Sequence, residues 1–314
     1  MIVLDVATQR EWSRSCGSVA ALPWNHFSRK NIGYLAATIN GAERVWDFDD
    51  DNELMGPHPA ALENSPISAW TLPSYRNTVL NPYPLLGANT FAWPRGFPLN
   101  RVKDNTTLAL RDSVLEGQWP AHRIAVVQSL AQSEPDVDAV YRLTRPLPVE
   151  FSHASNKLLI VPPNTYVPFN AQATLFRGRA ALWALLLPKT VHGRVSDIWR
   201  SYIMRRLLAD YGFDTAFSGA WVVQHRNPHS YLADLDAEVP LYLQASALVK
   251  FLAEWDNTRP TLPESAMDLY VELYERGFVE VEDVAMLRAW LDALAQIKYD
   301  FPVRPPFATI MVHT

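Results

Sequence analysis

The chain has 314 residues, 48% hydrophobic and 19% charged, enough to bury a large core in one large domain or two smaller ones. A net charge of -5 gives no general basic field and argues against nucleic acid as a partner, while the single cysteine, Cys16, excludes an intramolecular disulfide framework and any cysteine-built zinc site. No stretch approaches the apolar length needed to cross a bilayer, and Met1 to Arg10 is not built as a signal peptide.

In chain order, Met1 to Val6 alternates weakly and reads as a short strand. Asn25 to Ile39 reads as a helix, because Ile32, Leu35, Ala36 and Ile39 recur at the spacing of one helical face and Asn40-Gly41 supplies a stop. Glu43 to Phe48 follows after a very short link and reads as a strand, so Asp47 to Asp51 fall at its C-terminal end, where open α/β sheets bind their ligands. The proline-rich stretch from Pro57 to Pro98 reads as an ordered excursion without regular elements. A helix is expected near Ala121 to Gln132, a turn at Ser133 to Asp136, and a strand near Ala139 to Leu143.

The apolar run Ala180 to Leu187, closed by Pro188, reads as a buried strand, with a short buried helix as the alternative. Ser196 suits the N-cap of a helix from Asp197 to Asp210 that ends at Tyr211-Gly212. From Pro240 the pattern is helical, with Leu287, Trp290, Leu291 and Leu294 on one face and Pro260 and Pro263 as breaks. The division expected is an α/β core over residues 1–239 and a helical C-terminal region over 240–314.

Asp47, Asp49, Asp50 and Asp51 place four carboxylates in five positions, where mutual repulsion calls for a cation or strong donors. Hard oxygens of this kind suit Mg2+ or Mn2+, which keep open positions for substrate phosphates. The EF-hand spacing fails because Asn52 stands where glycine is needed and His58 where an acid is needed. A solvated acidic turn is the competing reading, and placement at a strand end favours the metal. Upstream, Arg29 and Lys30 sit at a helix start, where the dipole disfavours cations and a bound phosphate would explain them; a solvated pair is the alternative.

His192, Arg194, Asp197 and Arg200 follow the apolar run at another expected sheet edge. Asp197 is the candidate base for an acceptor hydroxyl, against the plainer role of favouring the helix dipole. His225 is a candidate metal or phosphate ligand, against a hydrogen-bonded structural role, and Pro228 keeps it from pairing with His229 on one helix. No Walker A loop, dinucleotide fingerprint, HExxH or nucleophile elbow is present. Asn105-Thr106-Thr107 is a glycosylation acceptor triplet, a pattern that chance produces often.

The segments Leu22 to Asn52, Pro135 to Leu143, Val191 to Leu208 and Val249 to Ile297 together resemble the STELLO-type glycosyltransferases. The resemblance implies a GT-A-like, nucleotide-sugar-binding mixed sheet flanked by helices, whose opening strand and nucleobase loop are missing before Met1. It implies Mn2+ or Mg2+ held by Asp47, Asp49 and Asp50, more weakly Asp51, against the diphosphate of a UDP-sugar. Arg29, Lys30 and Asn31 fall in one motif of that family, and Arg194 and Asp197 in another. A glycan or glycoprotein acceptor follows, as does residence in the Golgi lumen for a longer, anchored parent. The alternative is a silent glycosyltransferase-like scaffold that engages a partner in a polysaccharide-synthesis complex; a metal-free carbohydrate-binding module is a third reading.

Overall fold

The computed structural model describes residues 3–55, 66–73, 75, 77–104, 113–152 and 157–305. The described strands form one sheet of eight: β1 (Arg44–Phe48), β2 (Asn52–Leu54), β3 (Ile67–Thr71), β4 (Leu115–Trp119), β5 (Ile124–Gln132), β6 (Leu158–Ile160), β7 (Ala173–Arg177) and β8 (Asp214–Gln224). Their order is β1-β7-β5-β8-β6-β3-β4, with β2 paired to the end of β8. β5 with β8 and β3 with β6 run parallel, and the remaining pairs are antiparallel. This is the mixed α/β sheet with flanking helices expected of a GT-A-like chain.

The helices are α1 (Val6–Trp12), α2 (Gly17–Ala20), α3 (Lys30–Ile39), α4 (Ala139–Thr144), α5 (Gly193–Asp210), α6 (Tyr231–Ala237), α7 (Val239–Glu254), α8 (Leu262–Glu275) and α9 (Val281–Gln296). α5 is buried almost all round, with Val195, Trp199, Tyr202 and Leu207 in the core. A helix placed so deep must satisfy every polar group it carries, and α5 carries Asp197, Arg200 and Arg205. The main hydrophobic cluster runs from α3 through α5 into α7, α8 and α9, so the helical C-terminal region shares a core with the sheet. Leu287, Trp290, Leu291 and Leu294 are all buried as their spacing predicts, and Trp290 Nε1 donates to the Trp183 carbonyl at 3.0 Å.

Several local expectations are corrected. Val6 opens α1, capped by Asp5, in place of ending a strand; Met1 and Ile2 lie outside the described residues. Residues 124–132 form a central strand, because a strand buried on both faces loses the alternation that marks it and Ile124, Val126 and Val127 favour extended backbone. Ala139–Thr144 is a helix, capped by the Asp138 carboxylate on the Tyr141 N–H. The apolar run is not a strand but the short buried helix named as its alternative, a 3-10 helix over Arg179–Leu185 entered through Gly178 at φ 78°; its alanines and leucines prefer helical backbone. β3 interrupts the proline-rich excursion, of which residues 57–65, 74 and 76 lie outside the description. Ser196 is not a cap: α5 begins at Gly193 with His192 as N-cap, and Ser196 Oγ donates to the Pro188 carbonyl.

Elsewhere the readings hold in part. α3 stops where expected, with Asn40 as C-cap and Gly41 at φ 80°, but it starts at Lys30 and not Asn25, since Asn25 takes φ 52° and Phe27–Arg29 form a 3-10 turn; Ile39 faces solvent and the buried face adds Asn31, Tyr34 and Thr38 to Ile32 and Leu35. Pro240 and Pro263 open helices at their first turns, where a missing N–H costs nothing. His58 and the Asn105 triplet lie outside the described residues. Among the described residues no helix is long and apolar enough to cross a membrane.

Candidate active site

The topology brings distant segments to one edge. β7 lies antiparallel between β1 and β5, and β8 is parallel to β5, so β1, β5 and β8 all point the same way. Their C-terminal ends deliver Asp47 to Asp51, Asp136, and Gln224 to Arg226 to that edge, together with Asn170 and Gln172 at the start of β7 and the N-terminus of α5. Between them lies a cavity of about 260 Å3, lined in part by Asp49, Asp136, Asp197, Gln172, Gln224 and Arg226. Gly193 lets α5 approach Phe27: a Cβ there would meet the Phe27 Cβ at 2.9 Å.

The inner wall is built from buried ion pairs. Lys30 Nζ is held by Asp47 Oδ1 at 3.0 Å, Asp49 Oδ1 at 2.9 Å and the Ala171 carbonyl at 2.7 Å. Burial works against this ammonium, but the two aspartates prevail and hold its pKa above the ordinary lysine value. Asp47 Oδ2 accepts from Tyr34 Oη at 2.5 Å and faces Arg200 at 3.5 Å. Arg200 is fully buried, donates to the Leu185 carbonyl and lies against the Phe176 ring. Burial keeps the Asp49 carboxyl above the usual carboxylate range despite Lys30.

Beside this network, Arg95 forks between two carboxylates, Asp136 and Asp197. Asp197 also accepts from the Ile198 and Ala171 N–H groups, at 2.9 and 3.1 Å, so four donors converge on its two oxygens. Burial would raise the Asp136 pKa, yet Arg95, Arg194 and the Asn170 amide hold it below the ordinary value. Just behind, burial pushes the Asp138 carboxyl up to about 6, against the donors Tyr141 N–H and Trp93 Nε1.

The outer rim differs. Gln224 Nε2 donates to Asp51 Oδ2 at 3.2 Å, while Asp51 Oδ1 and Gln224 Oε1 are buried with no partner among the described residues. Arg226 Nε is likewise buried and unpartnered. Arg142 and Arg200 also carry a buried Nε without a partner, but neither lines the cavity. Two orphaned acceptors beside an orphaned donor suit a ligand that brings a cation and an anion together. Asp49, Asp51 and Gln224 are the oxygen donors nearest this edge, and among the described residues no group of three or more His, Cys, Asp or Glu side chains is placed to hold a metal ion.

The remaining sequence candidates are placed as follows. Arg29 stacks on Trp24 at 3.8 Å and donates to Gln9. The Asn31 amide is spent on the Leu187 backbone, N–H and carbonyl both. Asp50 is exposed. Arg194 donates to Glu238 Oε1 at 2.5 Å. His225 is exposed and meets Glu53 Oε2 at 3.1 Å. Arg95, Asp136, Gln172, Gln224 and Arg226 were not singled out by sequence. Arg95 hides in the proline-rich stretch, and a single sequence holds no pattern that pairs it with residues a hundred positions away.

A family model described as STELLO glycosyltransferases matches residues 194–304. The protein named probable glycosyltransferase STELLO2 from Arabidopsis thaliana is 31% identical over 296 residues, covering 90% of this chain and 37% of its own length. Probable glycosyltransferase STELLO1 from the same plant is 30% identical with the same coverage. The chain therefore spans little more than a third of the curated relatives it matches. The mixed sheet with flanking helices is consistent with that likeness, and over 90% of its length the chain is similar to STELLO glycosyltransferases.

Proposed function

We propose that the cavity binds a nucleotide-sugar, with a UDP-sugar as donor, around Mn2+ or Mg2+, and that the sugar passes to a glycan or glycoprotein acceptor. The observation that carries this reading is the buried, unpartnered Gln224 Oε1 in the cavity that Asp49 also lines, with the unpartnered Asp51 Oδ1 reached through the Gln224 amide at the C-terminal edge of the sheet. Such ions use one or two carboxylates plus substrate phosphates, so an incomplete protein shell fits them. When bound, the ion would offset charge on the departing diphosphate.

In this reading Asp47 does not face the ion. It orients Lys30, which in turn holds Asp49, and it is itself faced by Arg200. Asp197 acts as a positioning residue: its oxygens already accept four hydrogen bonds, and taking an acceptor's proton would require it to shed one. Titration calorimetry of UDP with Mn2+ tests the proposal. Heat should appear with the metal, vanish in chelator, and fall for Asp49→Asn and Asp51→Asn; UDP binding that ignores chelator and both substitutions would remove it.

The commitment of Asp47 and Asp197 to internal partners supports a second reading, a scaffold that keeps UDP binding without turnover and engages a partner in polysaccharide synthesis. Metal-dependent hydrolysis of a UDP-sugar by the purified chain would decide against it.

A further inference from the structure

We propose that Arg194 and Arg226 form the anion seat of this cavity and that Asp234 of α6 is its built-in occupant, which a diphosphate must displace. The proposal rests on the nucleotide-sugar reading for the identity of the anion, not for the existence of the seat.

Arg226 lies two residues beyond Gln224, so the anion side and the cation side of the rim adjoin along one stretch of chain. Its side chain is only 7% exposed and its Nη2 meets Asp234 Oδ2 at 3.1 Å, while Nε has no partner among the described residues. Arg194, the second residue of α5, reaches Asp234 Oδ1 at 3.5 Å and Glu238 Oε1 at 2.5 Å. The positive end of an 18-residue helix adds to both guanidiniums. Burial, with repulsion from Arg142 and Arg194, holds the Arg226 pKa below the ordinary arginine value. Guanidinium nevertheless stays protonated in proteins, so this crowding is relieved by a counter-ion.

The two acids that supply it are not equivalent. Glu238 is fully buried and also accepts from the Ala139 N–H at 2.8 Å and Tyr242 Oη at 2.6 Å, which ties it to the start of α4 and to α7. The Asp234 carboxylate meets, among the described residues, Arg194, Arg226 and His229. Of the residues of α6, all described, Asp234 alone is buried, and Leu232 is 69% exposed. One acid belongs to the frame and the other is free to leave. A diphosphate brings more charge and more acceptor oxygens than one carboxylate, and a guanidinium fork accommodates it in two bonds. Asp234 thus lowers the affinity of the seat for every anion that cannot outbid it.

Calorimetric titration with inorganic pyrophosphate in chelator tests the seat directly, and titration with UDP and Mn2+ tests the donor reading in parallel. Asp234→Asn should tighten pyrophosphate about tenfold and Arg226→Gln weaken it by about tenfold or more, as expected for gain or loss of a charge-assisted bond. The exposed Asp236→Asn, on the same helix, should change neither. Thermal melts check folding, and if Arg226→Gln does not fold, Asp234→Asn decides alone. Pyrophosphate binding that is absent, or that Asp234→Asn leaves unchanged or weakens, overturns the seat. UDP binding with Mn2+ that ignores both substitutions also overturns it while the donor reading stands. Pyrophosphate that responds as expected while UDP with Mn2+ gives no heat keeps the seat and removes the donor reading.

Discussion

The inner wall and the outer rim of the cavity are made of the same residue types and solve opposite problems. On the wall, Asp47, Asp136 and Asp197 are met by Lys30, Arg95 and Arg200 with nearly every oxygen engaged. On the rim, Asp51, Gln224 and Arg226 keep buried atoms unengaged. Each orphan costs on the order of 1–3 kcal/mol, so the rim is held at the expense of stability while the wall supplies it. Charge alone therefore does not mark a binding site in this protein; unsatisfied polar atoms that also line the cavity do.

The largest expected effect is on the wall. Arg200→Met should strip Asp47 of a buried partner and lower unfolding stability by about 3–5 kcal/mol, read from urea denaturation. A loss below about 1 kcal/mol would mean that Asp47 is solvated and that wall and rim are alike.

A second test uses pH. Asp138, behind the wall, binds its proton more tightly folded, about 6, than unfolded, 3.8. Between those values the folded state holds more protons than the unfolded one, so stability from this group falls as pH rises through the window and is level above it, by on the order of 3 kcal/mol in all. Urea midpoints of wild type minus Asp138→Asn, followed from pH 4 to 7, should show that decline; a flat or rising difference would contradict it.

On the rim the sign reverses. Asp51→Asn should leave stability within about 1 kcal/mol of wild type, because the half-buried carboxylate holds, among the described residues, only the Gln224 amide. Mn2+ affinity measured with UDP should fall at least about tenfold, a loss of about 1.4 kcal/mol. A stability loss like that of Arg200→Met, with metal binding intact, would make Asp51 part of the wall. The smallest effect belongs to His225→Ala, whose exposed pair with Glu53 should be worth less than about 0.5 kcal/mol and leave Mn2+ binding unchanged. A tenfold loss of Mn2+ affinity there would move the cation site to the β2 side of the rim.

What the residues revealed in advance follows the same division. The acidic end of β1 was legible because a helix, a short link and a strand stand next to one another in the chain, and α7 and α9 were legible from apolar periodicity. β5 and the 3-10 helix at 179–185 were not, since an apolar run buried on all sides has no period to read. Asp47 and Asp49 look equivalent in sequence, yet alternate positions carried past the end of a strand meet different neighbours, and one is buried while the other faces the cavity. The partners Arg95, Gln224 and Arg226 reach the site through sheet topology and leave no local trace.

Gly193 shows how closely the two halves of this site are coupled. The segment bearing Lys30 and the helix bearing Arg194 and Asp197 touch at Phe27 with no space for one methyl group. An alanine at this position would act as a wedge, prising the Phe27–Lys30 segment away from the arginine-bearing start of α5 without altering the identity of any charged residue. Spacing between the halves, as distinct from their chemistry, is thus controlled by a residue that bears no functional group at all.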